Sequence, residues 1–159
     1  MQPALLIGDV IAANKWLYRW EEPRRGDLVL FNYPKDESQV YVKRLIGLPG
    51  ETVEIRKRIV YINGHPLHES FAIYSNTSTR KTGPHSGDNF GPIKIPVDQY
   101  FVLGDNREQS EDSRHFGLIT RENISGKADR IVGSTDGSGN KRLDRIWKPF
   151  PPMTFSKQN

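Results

Sequence analysis

Short apolar runs separated by proline, glycine and polar clusters recur along the chain, and none extends into a long amphipathic helical pattern. Leu28 to Phe31, Gln39 to Ile46, Thr52 to Ile55, Arg58 to Ile62, Ile93 to Ile95 and Tyr100 to Leu103 have the length and composition of strands. Asn63-Gly64 is a hairpin-turn signal. Pro49-Gly50 supplies the two central residues of a type II turn, which ends the strand begun at Gln39. Eleven prolines and fourteen glycines break the remainder into short pieces. The pattern predicts a mainly β fold in one domain, and 159 residues suffice to bury a core. Ser75 to Pro84 is polar and aperiodic, as in an exposed loop. Asp136 to Asn140 reads as a flexible turn, and the chain from Pro149 onward as a fraying tail.

Two segments carry chemistry. Gly104 to Gly117, directly after the apolar run ending at Leu103, packs donors, acceptors and charges of both signs into a turn-rich stretch. Asp105 and Asn106 are residue types whose side chains bond their own backbone and fix tight turns. Ser110, Asp112 and Arg114 alternate, so in an extended segment they share one face. There a hydroxyl, a carboxylate and a forked guanidinium make a rigid polar support. In the second segment Lys43 sits mid-strand, with Tyr41 and Leu45 alternating onto its face. Such a lysine either is solvated on an edge strand and deters edge pairing, or is held in an apolar site. In the second case its pKa falls from about 10.4 toward about 7–8, where the neutral amine serves as a general base.

In this order the segments resemble the signature of signal peptidase I, the membrane-bound serine protease that removes signal peptides from exported proteins. The resemblance starts at Met1 to Asp9, continues through Arg25 to Phe31 and Tyr41 to Glu51, and passes Gly104 to Gly117 to close at Leu143 to Lys148. It implies an antiparallel β-sheet catalytic core of the signal peptidase I and LexA-like type over residues 1–148. A small inserted β and loop region is expected at about 58–92, and a flexible tail over 149–159. The resemblance further implies a Ser–Lys dyad. Lys43 falls on the general base and Ser110 on the hydroxyl that orients its amine. Asp112 and Arg114 match a supporting ion pair, and Asp105, Asn106 and Arg107 the turn that carries it. Met1, Leu5, Ile11, Leu30, Tyr41 and Val42 would line a shallow apolar cleft for small side chains, although each also suits an ordinary core. A signal peptide would lie extended beside the lysine strand, by strand addition. The mechanism needs no cofactor.

The resemblance places the nucleophilic serine immediately before Met1, preceded by oxyanion-binding residues and a transmembrane anchor. Ser38, Ser70, Ser75, Ser113 and Ser125 lie outside the Ser-Met-x-Pro context. Residues 1–159 are therefore expected to be inactive as they stand. The expected cause is a misplaced start or truncation; the alternative is a native pseudopeptidase that binds signal peptides or partner proteins without cleavage. The family implies attachment to the cell membrane, with the catalytic domain on the outer face.

Charge and composition narrow the partners. The net charge is +4, with 23 Lys and Arg against 19 Asp and Glu. Arg56-Lys57-Arg58 and Lys141-Arg142 could touch nucleic acid, but acids are interspersed and no nucleic-acid-binding motif accompanies them. Nucleic acid is not expected as a partner. Anionic lipid headgroups suit such basic segments better. Trp16, Tyr18 and Trp20 alternate beside Lys15 and Arg19, as interfacial anchors or as a strand packed on the core. No segment approaches the roughly 20 apolar residues that span a bilayer. Cysteine is absent, which removes disulfides and thiolate metal sites. His65 and His68 form a pair without further clustered ligands. A LexA-type self-cleaving repressor would add a DNA-binding domain and a cleavage loop, and neither is visible.

Overall fold

The computed structural model describes residues 1–74 and 88–150. The Ser75 to Pro84 loop and the tail over 151–159 lie outside the described residues. Ten strands are described: β1 (Asp9–Asn14), β2 (Leu28–Tyr33), β3 (Asp36–Gly47), β4 (Thr52–Arg56), β5 (Ile59–Ile62), β6 (His65–Pro66), β7 (Phe90–Lys94), β8 (Gln99–Leu103), β9 (Ile119–Thr120) and β10 (Ile124–Ser134). One short helix, α1 (Ser113–Phe116), follows β8. The strands form a six-stranded sheet in the order β1-β10-β2-β3-β8-β9 and a four-stranded sheet in the order β6-β5-β4-β7. Every named strand pair is antiparallel.

The run Tyr100-Phe101-Val102-Leu103 is apolar without alternation because β8 is buried on both faces. Tyr100 and Val102 join Tyr18, Val29, Phe31, Leu45, Ile119 and Ile124 in one core. Phe101 and Leu103 join Ile46, Val53, Ile55, Val60, Ile62, Phe71 and Ile95 in the other. Leu45 and Ile46, successive residues of β3, divide between the same two cores. The centre of the large sheet is thus held from both sides, and it is the part that carries the candidate site.

Each expected strand forms, with ends shifted by a few residues. Asn63 and Gly64 take φ of 52° and 82°, the left-handed conformations of a type I′ turn, and join β5 to β6. The Glu51 N–H donates to the Leu48 carbonyl at 3.2 Å, closing the turn at Pro49-Gly50. The Asp136 carboxylate accepts bonds from the Ser138 and Asn140 amides, both at 2.9 Å, so this turn is closed by its own side chain. Pro149, expected at the start of the fraying tail, bridges Arg130 on β10.

One expectation fails outright. Trp16, Tyr18 and Trp20 do not share a face, because Leu17–Arg19 winds into a single 3-10 turn where alternate positions diverge. Tyr18 is 7% exposed and donates its hydroxyl to Asp27 at 2.9 Å, whereas Trp16 and Trp20 are 64% and 88% exposed. No described helix is long and apolar enough to cross a membrane.

Candidate active site

Lys43 lies on β3, paired with Val29 of β2. Because β3 runs between β2 and β8, the lysine does not belong to an edge strand. Its Nζ donates to Ser110 Oγ at 3.1 Å. Burial pushes its pKa below the usual lysine range; the Arg114 charge adds to this, while Asp112, Glu111 and Asp105 oppose it. The Tyr41 ring centroid is 5.7 Å from Nζ. Tyr41 in turn stacks on Tyr33 at 4.6 Å, and the Tyr33 hydroxyl donates to Glu111 at 2.6 Å.

Ser110 is held by what lies behind it. Its hydroxyl also bonds the Asp112 carboxylate. Asp112 is fully buried and accepts a two-pronged bond from Arg114, with both nitrogens at 2.8 Å, and a third from the Gly104 amide at 3.0 Å. Burial alone would raise the Asp112 pKa, but the bonds from Arg114, Gly104 and Ser110 hold it below the carboxylate range. Ser110, Asp112 and Arg114 therefore do meet, but not by alternation along an extended segment. Asp112 caps α1 and Arg114 lies within that helix, folding back so that its guanidinium reaches both the cap carboxylate and, at 2.6 Å, the Arg107 carbonyl. A Cβ on Gly104 would stand 2.1 Å from Ser110 Oγ, so only glycine admits Ser110 at this distance from Lys43.

The turn from Asp105 to Arg107 is anchored at three points. Arg44, 1% exposed, forks onto Asp105 with both contacts at 2.9 Å. Ile73 donates to the Asp105 carbonyl at 2.8 Å and accepts from the Arg107 amide at 3.0 Å. Arg107 reaches Glu69 with Nη1 at 2.9 Å and Nη2 closer still, and donates Nε to the Gly104 carbonyl at 3.1 Å. Asn106 donates to Gln109 at 3.2 Å, and its Oδ1 is buried without a partner.

The six expected cleft residues are all partly exposed, and Tyr41 also packs against the core that holds Phe31. Met1 and Leu5 line a groove of about 340 Å³ with Gln2, Leu6, Ile7, Asn106 and Gln109. The Met1 nitrogen is half-buried, within reach of the charges on Lys43, Asp105 and Asp112. Leu30 faces Val42 across the β2–β3 ladder, and Phe31 faces Tyr41. Leu30 and Val42 thus project on the side of the sheet opposite to Tyr41 and Lys43. Ile11 sits apart on β1, opposite Ile131. The described residues hold no cluster of three His, Asp or Glu that could bind a metal ion, and His65 and His68 stay unclustered.

Arg44, Glu69, Tyr33, Glu111 and Gly104 have no individual role in the sequence reading. Only Gly104 carried a signal, a glycine at the end of a strand where another chain segment approaches closely.

A family model described as signal peptidase, peptidase S26, matches residues 1–132. The chain belongs to the signal peptidase S26 family. It is 42% identical over 127 residues to a signal peptidase I P of Bacillus subtilis subsp. natto, covering 79% of this chain and 68% of that protein. It is 38% identical over 133 residues to a probable signal peptidase I-2 of Synechocystis, covering 80% of this chain and 56% of the relative's length. A crystal structure of a signal peptidase I from Enterococcus faecalis V583 superposes with a TM-score of 0.55 at 35% identity, over 67% of this chain and 97% of that one. The antiparallel β architecture is shared with that family member.

Proposed function

We propose that this chain carries the catalytic domain of a signal peptidase I, cutting signal peptides from exported preproteins at the outer face of the cell membrane, with Lys43 as general base. We read residues 1–148 as that domain, with a variable insertion at about 58–92. The observation that carries the proposal is the Lys43 amine, desolvated and 3.1 Å from a Ser110 hydroxyl that is itself fixed by Asp112.

A neutral amine has two N–H groups and one lone pair. The bond to Ser110 occupies an N–H and fixes the rotation about the terminal carbon–nitrogen bond, which aims the lone pair. The nucleophile is a serine attached to the Met1 nitrogen, which stands within reach of the Lys43 charge. Lys43 takes the serine proton as Oγ attacks the scissile carbonyl, then passes it to the departing amine, leaving an acyl-enzyme. Water hydrolyses the ester by the same transfer in reverse. Tyr41, whose ring lies 5.7 Å from the amine, and Met1 and Leu5, which line the groove, bear on the residue before the cut.

The test compares two polypeptides on a signal-peptide substrate. Residues 1–159 alone are expected to bind the peptide without cutting it, and a form with a serine directly ahead of Met1 is expected to cut it. If both bind and neither cuts, the pseudopeptidase reading stands instead.

A further inference from the structure

Asp9 is 1% exposed at its side chain and gathers two arginines from the far end of the chain. Its carboxylate accepts from Arg145 Nη2 at 2.6 Å and Nε at 3.1 Å, Arg142 Nη2 at 3.4 Å, Ser134 Oγ at 2.6 Å and the Leu6 amide at 2.8 Å. Burial opposes ionisation of this carboxyl, but the Arg145, Ser134 and Leu6 bonds outweigh it and bring the pKa down to about 2.

The arginines do more than neutralise Asp9. Arg145 Nη2 also donates to the Ala4 carbonyl at 3.0 Å, and Arg142 Nη2 to the Ile7 carbonyl at 2.7 Å. Residues 4 to 7 belong to no strand, so these bonds, with turn bonds from Leu5 to Met1 and from Asp9 to Leu6, fix their path. The donors rest on a firm base. Arg142 bonds its amide to the Ser134 carbonyl at 2.9 Å, Trp147 bonds Ile131 at 2.8 Å, and β10 is paired on both sides by β1 and β2. Met1, Gln2, Leu5, Leu6 and Ile7 in turn line the groove beside Asn106 and Gln109, and the Met1 nitrogen stands within reach of the Lys43 charge. Both arginines lie beyond residue 132, where the family match stops.

We propose that Asp9, Arg142 and Arg145 form a clamp of positioning residues, by which the segment after β10 holds residues 4 to 7, and with them the attachment point of the nucleophile, in register with Lys43. The proposal rests on the peptidase reading above. Arg145 supplies both the fork on Asp9 and the bond to the Ala4 carbonyl, so its removal takes both contacts from the strip and leaves a buried carboxylate short of its strongest partner. A displacement of about 1 Å between nucleophile and base costs about a hundredfold in rate.

Two measurements on Arg145→Ala test it. In residues 1–159, amide exchange at Leu5, Leu6 and Asp9 is expected to quicken while β3 and β8 keep their protection. In the serine-bearing form, kcat is expected to fall about a hundredfold, with a smaller rise in KM because Met1 and Leu5 also line the substrate groove. Arg145→Lys, which keeps the charge on Asp9 but cannot fork to Ala4 as well, is expected to fall between wild type and alanine. Unchanged exchange in residues 1–9, or equal loss of protection in β3 and β8, would overturn the clamp and leave a general stability role. Quickened exchange with full kcat would also overturn it. If the unsubstituted serine-bearing form cuts nothing, the peptidase reading itself has failed, and the clamp has no reaction to position.

Discussion

Replacing Lys43 by alanine in the serine-bearing form is expected to lower kcat by roughly 10⁴-fold, the upper end of what a positioned general base supplies. That loss corresponds to about 5.5 kcal/mol of transition-state stabilisation. KM should move little, because the amine acts on the proton of the nucleophile and holds no part of the peptide. No neighbour is suited to take over. Asp112 is occupied by Arg114, Gly104 and Ser110, and its lowered pKa makes it a poor base. Asp105 is engaged by Arg44. Steady-state kinetics with a signal-peptide substrate reads the effect, and a variant that cuts at the normal rate would remove Lys43 from the mechanism.

The largest expected effect on stability belongs to the adjacent residue. Arg44→Ala leaves the Asp105 carboxylate fully buried without its forked partner. Breaking such a pair from one side costs about 3–5 kcal/mol, a large share of the roughly 5–15 kcal/mol that stabilises a domain. Urea unfolding should show it as a lower midpoint. The double variant Arg44→Met with Asp105→Leu should recover much of the loss, since removing both charges leaves none unpaired. A single variant as stable as the parent would show that the pair contributes nothing net. Lys43 and Arg44 point to opposite faces of β3, yet both end on the loop after β8, at Ser110 and Asp105. Arg44→Ala therefore threatens the site as well as the fold, because the turn it anchors leads directly to Ser110.

The strands that pack both faces or follow clean turns were legible in the sequence: β8 from its unbroken apolar run, β5 from Asn63-Gly64, β3 from its aromatic and β-branched content. β10 was not, although it is the second-longest strand. Register shifts against β1 between Val10 and Ile11 and between Ala12 and Ala13, and against β2 between Ile124 and Gly126, break the two-residue period that marks a strand. β1, its partner, was hidden for the same reason. In the site, Lys43 and Ser110 were both named from sequence, and the structure brings them into contact across 67 positions of chain. Asp112 and Arg114 were paired from sequence too, although the helix that pairs them was not expected. The long-range anchors had no local signal. Arg107 finds Glu69 and Arg44 finds Asp105 across 38 and 61 residues, and one charged residue in a strand or loop looks like another until the fold closes. The same holds for Arg145, which meets Asp9 across 136 positions.

The proposed catalysis depends on one physical state, a Lys43 amine that gives up its proton more readily than an ordinary lysine. Its titration can be followed by NMR on selectively labelled lysine in residues 1–159, with Lys43→Arg assigning the signal. A midpoint below 10.5, with the kcat/KM of the serine-bearing form rising through the same pH, is the predicted result, because activity grows as the neutral base appears. A Lys43 midpoint at or above 10.5 would contradict it, since the amine would then be a solvated or salt-bridged cation with no lone pair to offer at the pH of secretion.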